Sequence, residues 1–124
     1  MAPGNGAKLE EKRDRLRVEM TRSAFVMKEP GSQFAYLLDI SAGGARLELD
    51  YLVAARPHSF HAGEVVRVLI DGFDPLEALI VRTNEDQLGL RFLVDDREEK
   101  RVLAEIMAAV NDLNLKRLNT FSAP

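Results

Sequence analysis

The chain has 124 residues, 46% of them hydrophobic, with 17 basic against 20 acidic side chains and a net charge of −3. That length suits one domain with a single core, and the hydrophobic content excludes an intrinsically disordered chain. The acidic balance argues against broad coating of nucleic acid. Cysteine is absent, which removes disulfides and thiolate chemistry, and no apolar run reaches the length of a membrane span.

The first seven residues, Met1 to Ala7, are small and turn-forming and lack the apolar stretch of a secretory signal. Residues 1–9 are expected to be a flexible tail, and the lack of cysteine fits a cytoplasmic setting. A basic cluster follows, Lys8, Lys12, Arg13, Arg15, Arg17 and Arg22, interleaved with Glu10, Glu11, Asp14 and Glu19. Residues 17–28 read as a strand ending at Glu29-Pro30-Gly31-Ser32, where Pro-Gly fits the centre of a type II turn. Phe34, Tyr36, Leu38 and Ile40 alternate with other residues. Ala45, Leu47 and Leu49 then alternate with Arg46, Glu48 and Asp50. Period two over such lengths predicts half-buried strands.

A longer connection over 51–63 carries Pro57 and Gly63 as breakers. Val65 to Ile70 predicts another strand. Leu76 to Thr83 and Leu88 to Val94 form a hairpin around Asn84-Glu85-Asp86-Gln87. Consecutive strands with short turns predict a mainly β domain, an antiparallel barrel or sandwich. After Val94 the period changes. Asp96 fits a helix cap with Glu99 as its reciprocal partner. Leu103, Ile106, Val110 and Leu113 recur at helical spacing, with Lys116 and Arg117 near the helix end. A helix over 97–118 would be about 33 Å long and could project past a small barrel. Residues 119–124 read as a C-terminal tail.

Two short segments carry the chemistry. Lys12-Arg13-Asp14-Arg15-Leu16-Arg17 holds arginines four apart, whose planar forks match phosphate and the O6/N7 edge of guanine. Asp39-Ile40-Ser41-Ala42-Gly43-Gly44 places a carboxylate, a hydroxyl and a side-chain-free residue at turn-forming positions. Alone, the first also reads as a solvated charge run and the second as a strand-ending Asx turn. Together, in this order and at this separation, they form the two halves of a site for an anionic guanine ligand.

The pair R-x-x-x-R and D-x-S-x-x-G resembles the PilZ family of bacterial cyclic di-GMP receptors. Arg13 and Arg17 match the first motif; Asp39, Ser41 and Gly44 match the second without departure. The resemblance covers roughly residues 10–110, and Gly89-Leu90-Arg91-Phe92 looks like the family's penultimate strand. It implies a PilZ-like domain over 10–118, with a six-stranded antiparallel β-barrel at about 17–94 and a C-terminal helix at about 97–118. It also implies a non-enzymatic receptor that binds cyclic di-GMP as ligand, has no cofactor, and relays a signal to a protein partner. In outline, Arg13 and Arg17 would meet phosphate and guanine, Asp39 would accept from the base, Ser41 would exchange a hydrogen bond, and Gly44 would allow close approach. Lys12, Arg15 and Gly43 are further candidates. A basic residue at the position of Lys12 is associated in the family with capture of a stacked ligand pair.

The competing reading is an adaptor of the same fold that binds a protein partner without nucleotide. A single-stranded nucleic-acid binder would want a basic groove with exposed aromatics, against which stand the net charge and the 6% aromatic content. DNA or RNA binding and membrane insertion are therefore not expected. The chain is expected to be a monomer or weak homodimer. His58 and His61 lack a completing ligand set and read as surface-loop residues, so no metal site is expected. No triad or carboxylate pair suggests catalysis.

Overall fold

The computed structural model describes residues 16–29, 31–50 and 60–122, with side chains through Asn114. Six strands form the domain: β1 (Arg17–Lys28), β2 (Gly31–Ser41), β3 (Gly44–Leu49), β4 (Val65–Ile70), β5 (Leu76–Asn84) and β6 (Gln87–Phe92). One helix, α1 (Asp96–Ser122), follows. Every pairing is antiparallel, and the order β1-β2-β3-β6-β5-β4 closes on itself through β4 and β1. Closure leaves no free sheet edge.

The interior is filled by alternate residues of each strand. Leu37, Ile40, Leu47, Val68, Ala78 and Ile80 have no exposed surface. Burying a side chain of this size contributes roughly 1.5–3 kcal/mol. At the start of β2, buried Gln33 donates to the carbonyls of Phe34 (3.2 Å) and Asp50 (3.1 Å), tying that strand to the end of β3.

The strand boundaries follow the alternation in the sequence, but the phase of β2 does not. Phe34, Tyr36, Leu38 and Ile40 do not share one face. Gln33, Ala35 and Leu37 point inward, whereas Phe34 and Tyr36 pack edge-to-face on the outer surface, with Phe25 beside Phe34. The cause is a bulge: Leu37 pairs with Leu47 and Asp39 with Arg46, so Leu38 is an extra residue. One inserted residue exchanges the two faces downstream. Ile40 therefore enters the core, and Asp39 and Ser41 turn outward. Similar register shifts lie between Glu19 and Arg22 in β1 and between Ile80 and Arg82 in β5. Such bulges supply the bending that a closed barrel needs.

The turn before β2 also differs from expectation. Gly31 pairs with Lys28 as the first residue of β2, so it ends the turn and does not occupy its centre. Pro30, like Pro57 and His58 in the long connection, lies outside the described residues. Gly89-Leu90-Arg91-Phe92 belongs to the last strand of the barrel rather than the penultimate one.

Helix α1 is capped one residue earlier than the sequence spacing suggested. The Glu98 amide donates to Asp95 Oδ1 at 2.8 Å, and the Asp95 amide donates to Glu98 Oε1 at 3.3 Å. This reciprocal pair satisfies donors that the first turn would leave open. Val102, Ile106 and Ala109 are buried against the barrel. Arg101 Nη1 meets Asp74 Oδ2 at 2.6 Å, and the Asp74 amide donates to Glu105 Oε2 at 3.1 Å, pinning the helix to the β4–β5 turn. The helix extends to Ser122, past the expected end at 118. Among the described residues, no helix is long and apolar enough to cross a membrane.

Candidate ligand-binding site

The β2–β3 hairpin builds the centre of the site. Its turn is Ala42-Gly43, and Ser41 pairs with Gly44, Ile40 with Ala45 and Asp39 with Arg46. The Ser41 hydroxyl donates across this turn to the Gly44 carbonyl at 3.4 Å, and Ser41 is only 5% exposed. The serine thus closes the turn in this state.

Asp39 is also 5% exposed, although it lies on the outer side of the barrel. Two arginines cover it. Arg17 Nη1 donates to Oδ1 at 2.6 Å; Arg46 donates to Oδ2 from Nε at 3.0 Å, and its Nη2 stands 2.9 Å from the same oxygen. Both oxygens of the carboxylate are therefore engaged. Both guanidiniums remain about half exposed, 55% for the Arg17 side chain and 44% for Arg46. Each has N–H groups left over for a further acceptor. Glu19 pairs with Asp39 from β1, so two carboxylates and two guanidiniums share this patch.

Gly44 is needed by the sheet itself. A Cβ there would land on the backbone carbonyl oxygen of Leu90 and lie 3.4 Å from the Arg91 Cα. The close approach it permits is that of β6, and Gly43 takes part as well: its carbonyl accepts from the Phe92 amide at 2.8 Å.

Beside the hairpin lies an open pocket of about 610 Å³, lined by Leu16, Arg17, Val18, Glu19, Asp39, Met107 and Val110. Its wall between β1 and α1 is apolar, and its polar end is the Asp39 cluster. Such a mixed pocket suits a flat heterocycle whose edge carries polar groups. Among the described residues, no group of three or more potential ligands is placed to hold a metal ion.

Arg17, Asp39, Ser41, Gly43 and Gly44 are thus brought together. Lys12, Arg13 and Arg15 lie outside the described residues. Arg46 is the residue that sequence reasoning missed. Its signal was arithmetic: a two-residue turn at Ala42-Gly43 pairs Ser41 with Gly44 and therefore Asp39 with Arg46.

A family model described as PilZ domain matches residues 11–109. Among solved structures, the PilZ domain of YcgR from Escherichia coli with c-di-GMP is similar at a TM-score of 0.65 and 16% identity, covering 87% of this chain and 98% of that one. The PilZ domain of CeSA from a cellulose-synthesizing bacterium gives 0.58 at 18% identity, covering 77% and 98%. The Bacillus subtilis inhibitor of motility, MotI/DgrA, gives 0.57 at 20% identity, covering 81% of this chain and 52% of that one. A search of curated protein sequences gave no match. At these identities the structural likeness speaks for the fold alone.

Proposed function

This chain belongs to the PilZ domain family, and from that premise we propose that it is a non-enzymatic receptor for cyclic di-GMP. The observation that carries this reading is the paired grip of Arg17 and Arg46 on the buried Asp39 carboxylate, at the polar end of the pocket. The cluster offers two pre-oriented forks with spare N–H groups, suited to phosphate and the guanine Hoogsteen edge. The E. coli YcgR domain of the same fold holds c-di-GMP, which supports the choice of ligand.

In this reading the ligand is held by Arg13, Arg17, Asp39, Ser41 and Gly44, with Lys12, Arg15 and Gly43 as further contacts. Asp39 both orients the arginines and competes for them with the ligand's own acceptors. Binding draws Arg13 and Arg17 onto one polyanion and so fixes the N-terminal arginine segment. That ordered segment, in a cytoplasmic protein, is the surface a downstream protein partner reads.

The test is a calorimetric titration of the full chain with cyclic di-GMP, with cyclic di-AMP as control. Adenine lacks the O6 acceptor and the N1 and N2 donors of guanine. Arg13→Ala and Arg17→Ala are each expected to weaken binding roughly 5- to 150-fold, from about 1–3 kcal/mol per bidentate contact. A wild-type chain that takes up neither dinucleotide would point to the nucleotide-free adaptor.

A further inference from the structure

Register places two more arginines on the same outer face. Gly89 of β6 pairs with Arg46 on one side and with Arg82 of β5 on the other. A Cβ on Gly89 would lie 3.4–3.6 Å from Arg82 Cβ, Nε and Nη2. The Arg82 side chain therefore lies across the bare glycine, on the face where Arg46 stands. Arg91 pairs with Gly44, and its neighbour Phe92 donates its amide to the Gly43 carbonyl. Arg91 thus flanks the Ser41–Gly44 turn.

Neither Arg82 nor Arg91 makes an ion pair or hydrogen bond to another described side chain, and both are exposed. This contrasts with Arg17 and Arg46, which share the Asp39 carboxylate. In these two cross-strand rows the carboxylates are Asp39 and Glu19, set against Arg17, Arg46, Arg82 and Arg91. These two rows carry two more positive than negative charges. A cyclic dinucleotide carries two phosphodiester charges of the opposite sign.

We propose that Arg82 and Arg91 form a second cationic edge of the site and bind the dianionic dinucleotide from the β5–β6 side, facing Arg17 of β1. The proposal rests on the cyclic di-GMP reading. From β1 to β5 across β2, β3 and β6 is four strand spacings, about 19 Å along the curved sheet. Arginine side chains reaching in from both edges narrow that span to the scale of one ligand. Gly89 leaves room for the Arg82 side chain to lie against the sheet beside Arg46, so that both guanidiniums can meet one base or phosphate.

The experiment titrates the full chain with cyclic di-GMP by calorimetry, comparing wild type with Arg17→Ala, Arg82→Ala, Arg82→Gln, Arg91→Ala and Arg67→Ala. Arg67 is exposed on β4, paired in register with Met27 and Glu77 away from these rows, and controls for loss of one positive charge. Circular dichroism checks that each variant is folded. Arg82→Ala and Arg91→Ala are each expected to weaken binding at least about five-fold, with Arg67→Ala within about two-fold of wild type. Arg82→Gln, which keeps polar bulk without the charge, is expected to follow Arg82→Ala. If wild type binds and Arg17→Ala does not, while the Arg82 and Arg91 variants match wild type, the second edge is refuted and the receptor reading stands. An equal loss in Arg67→Ala also refutes it, because the effect would then be overall charge. If wild type itself does not bind, the receptor reading falls and takes this proposal with it.

Discussion

Asp39 holds two cations with one buried carboxylate, so replacing it affects stability and recognition separately. Asp39→Ala removes three charge-assisted contacts at once. Fully buried contacts of this type are worth roughly 1.5–3 kcal/mol each. Here both guanidiniums are about half exposed and regain water when released, which discounts the loss heavily. A net destabilisation of about 1–2 kcal/mol is expected, or a Tm lowered by roughly 3–10 °C for a domain of this size. Asp39→Asn keeps one carbonyl acceptor for the forks and should lose about half as much. For binding the expectation is different in kind. Without the carboxylate the arginines still attract phosphate but are no longer held in plane, and no acceptor remains for guanine N1 and N2. Affinity for cyclic di-GMP should fall while preference over cyclic di-AMP narrows, more in Ala than in Asn. Thermal unfolding by circular dichroism and parallel titrations with both dinucleotides measure the two effects. If Asp39→Ala lowers Tm but leaves discrimination intact, the residue only orders the hairpin, and the recognition role assigned to it is wrong.

Gly44→Ala should unzip β3 from β6 near the turn, because its Cβ meets the Leu90 carbonyl. Hydrogen exchange at Leu90 and Phe92 would rise even without ligand, whereas unchanged protection would refute the steric account. Glu85 sits in the β5–β6 turn at φ 54°, a conformation that costs a side-chain-bearing residue about 1–2 kcal/mol. Glu85→Gly, after its own entropy cost, should raise stability by up to about 1 kcal/mol in denaturant melts; a loss would show the strain is absent. Glu64 accepts from Lys28 Nζ at 2.9 Å and from the His61 amide at 2.7 Å, and these hold its carboxyl below the ordinary value of 4.5. A lowered folded value means a contribution present above the unfolded pKa and lost as pH falls through the folded one. An NMR titration should find the Glu64 midpoint below 4.5, moving back up in Lys28→Ala.

The barrel was legible because period-two alternation is a direct imprint of one buried face. Strands β1 and β4 start and stop where the side-chain pattern says they should. The phase of β2 was not legible. Phe34 and Tyr36 are the larger apolar residues and read as core, yet smaller Ala35 and Leu37 take the interior. The extra residue at Leu38 then lets Ile40 join them inside, and nothing in its chemistry marks it as a bulge. The helix cap shows a second kind of ambiguity: Asp95 with Glu98 and Asp96 with Glu99 have the same spacing, and the chain's exit from β6 selects the first. Arg46 escaped notice because an outward arginine on an alternating strand looks solvent-facing. Its partner is seven residues away and becomes visible only when the turn sets the register.

Helix α1 is a lever held along its first half. Among the described side chains its contacts with the core stop at Ala109 and Val110, while the helix continues to Ser122. Those last twelve residues amount to about 18 Å of arm. Within that first half, Arg101 and Glu105 bolt it to the β4–β5 turn. Just before the arm begins, Met107 and Val110 form a wall of the pocket that Arg17 and Asp39 close. A tilt of about 10° at that point displaces the tip by roughly 3 Å over such an arm. A ligand in the pocket that tilts the helix therefore moves its far end by leverage alone, with no change in the strands.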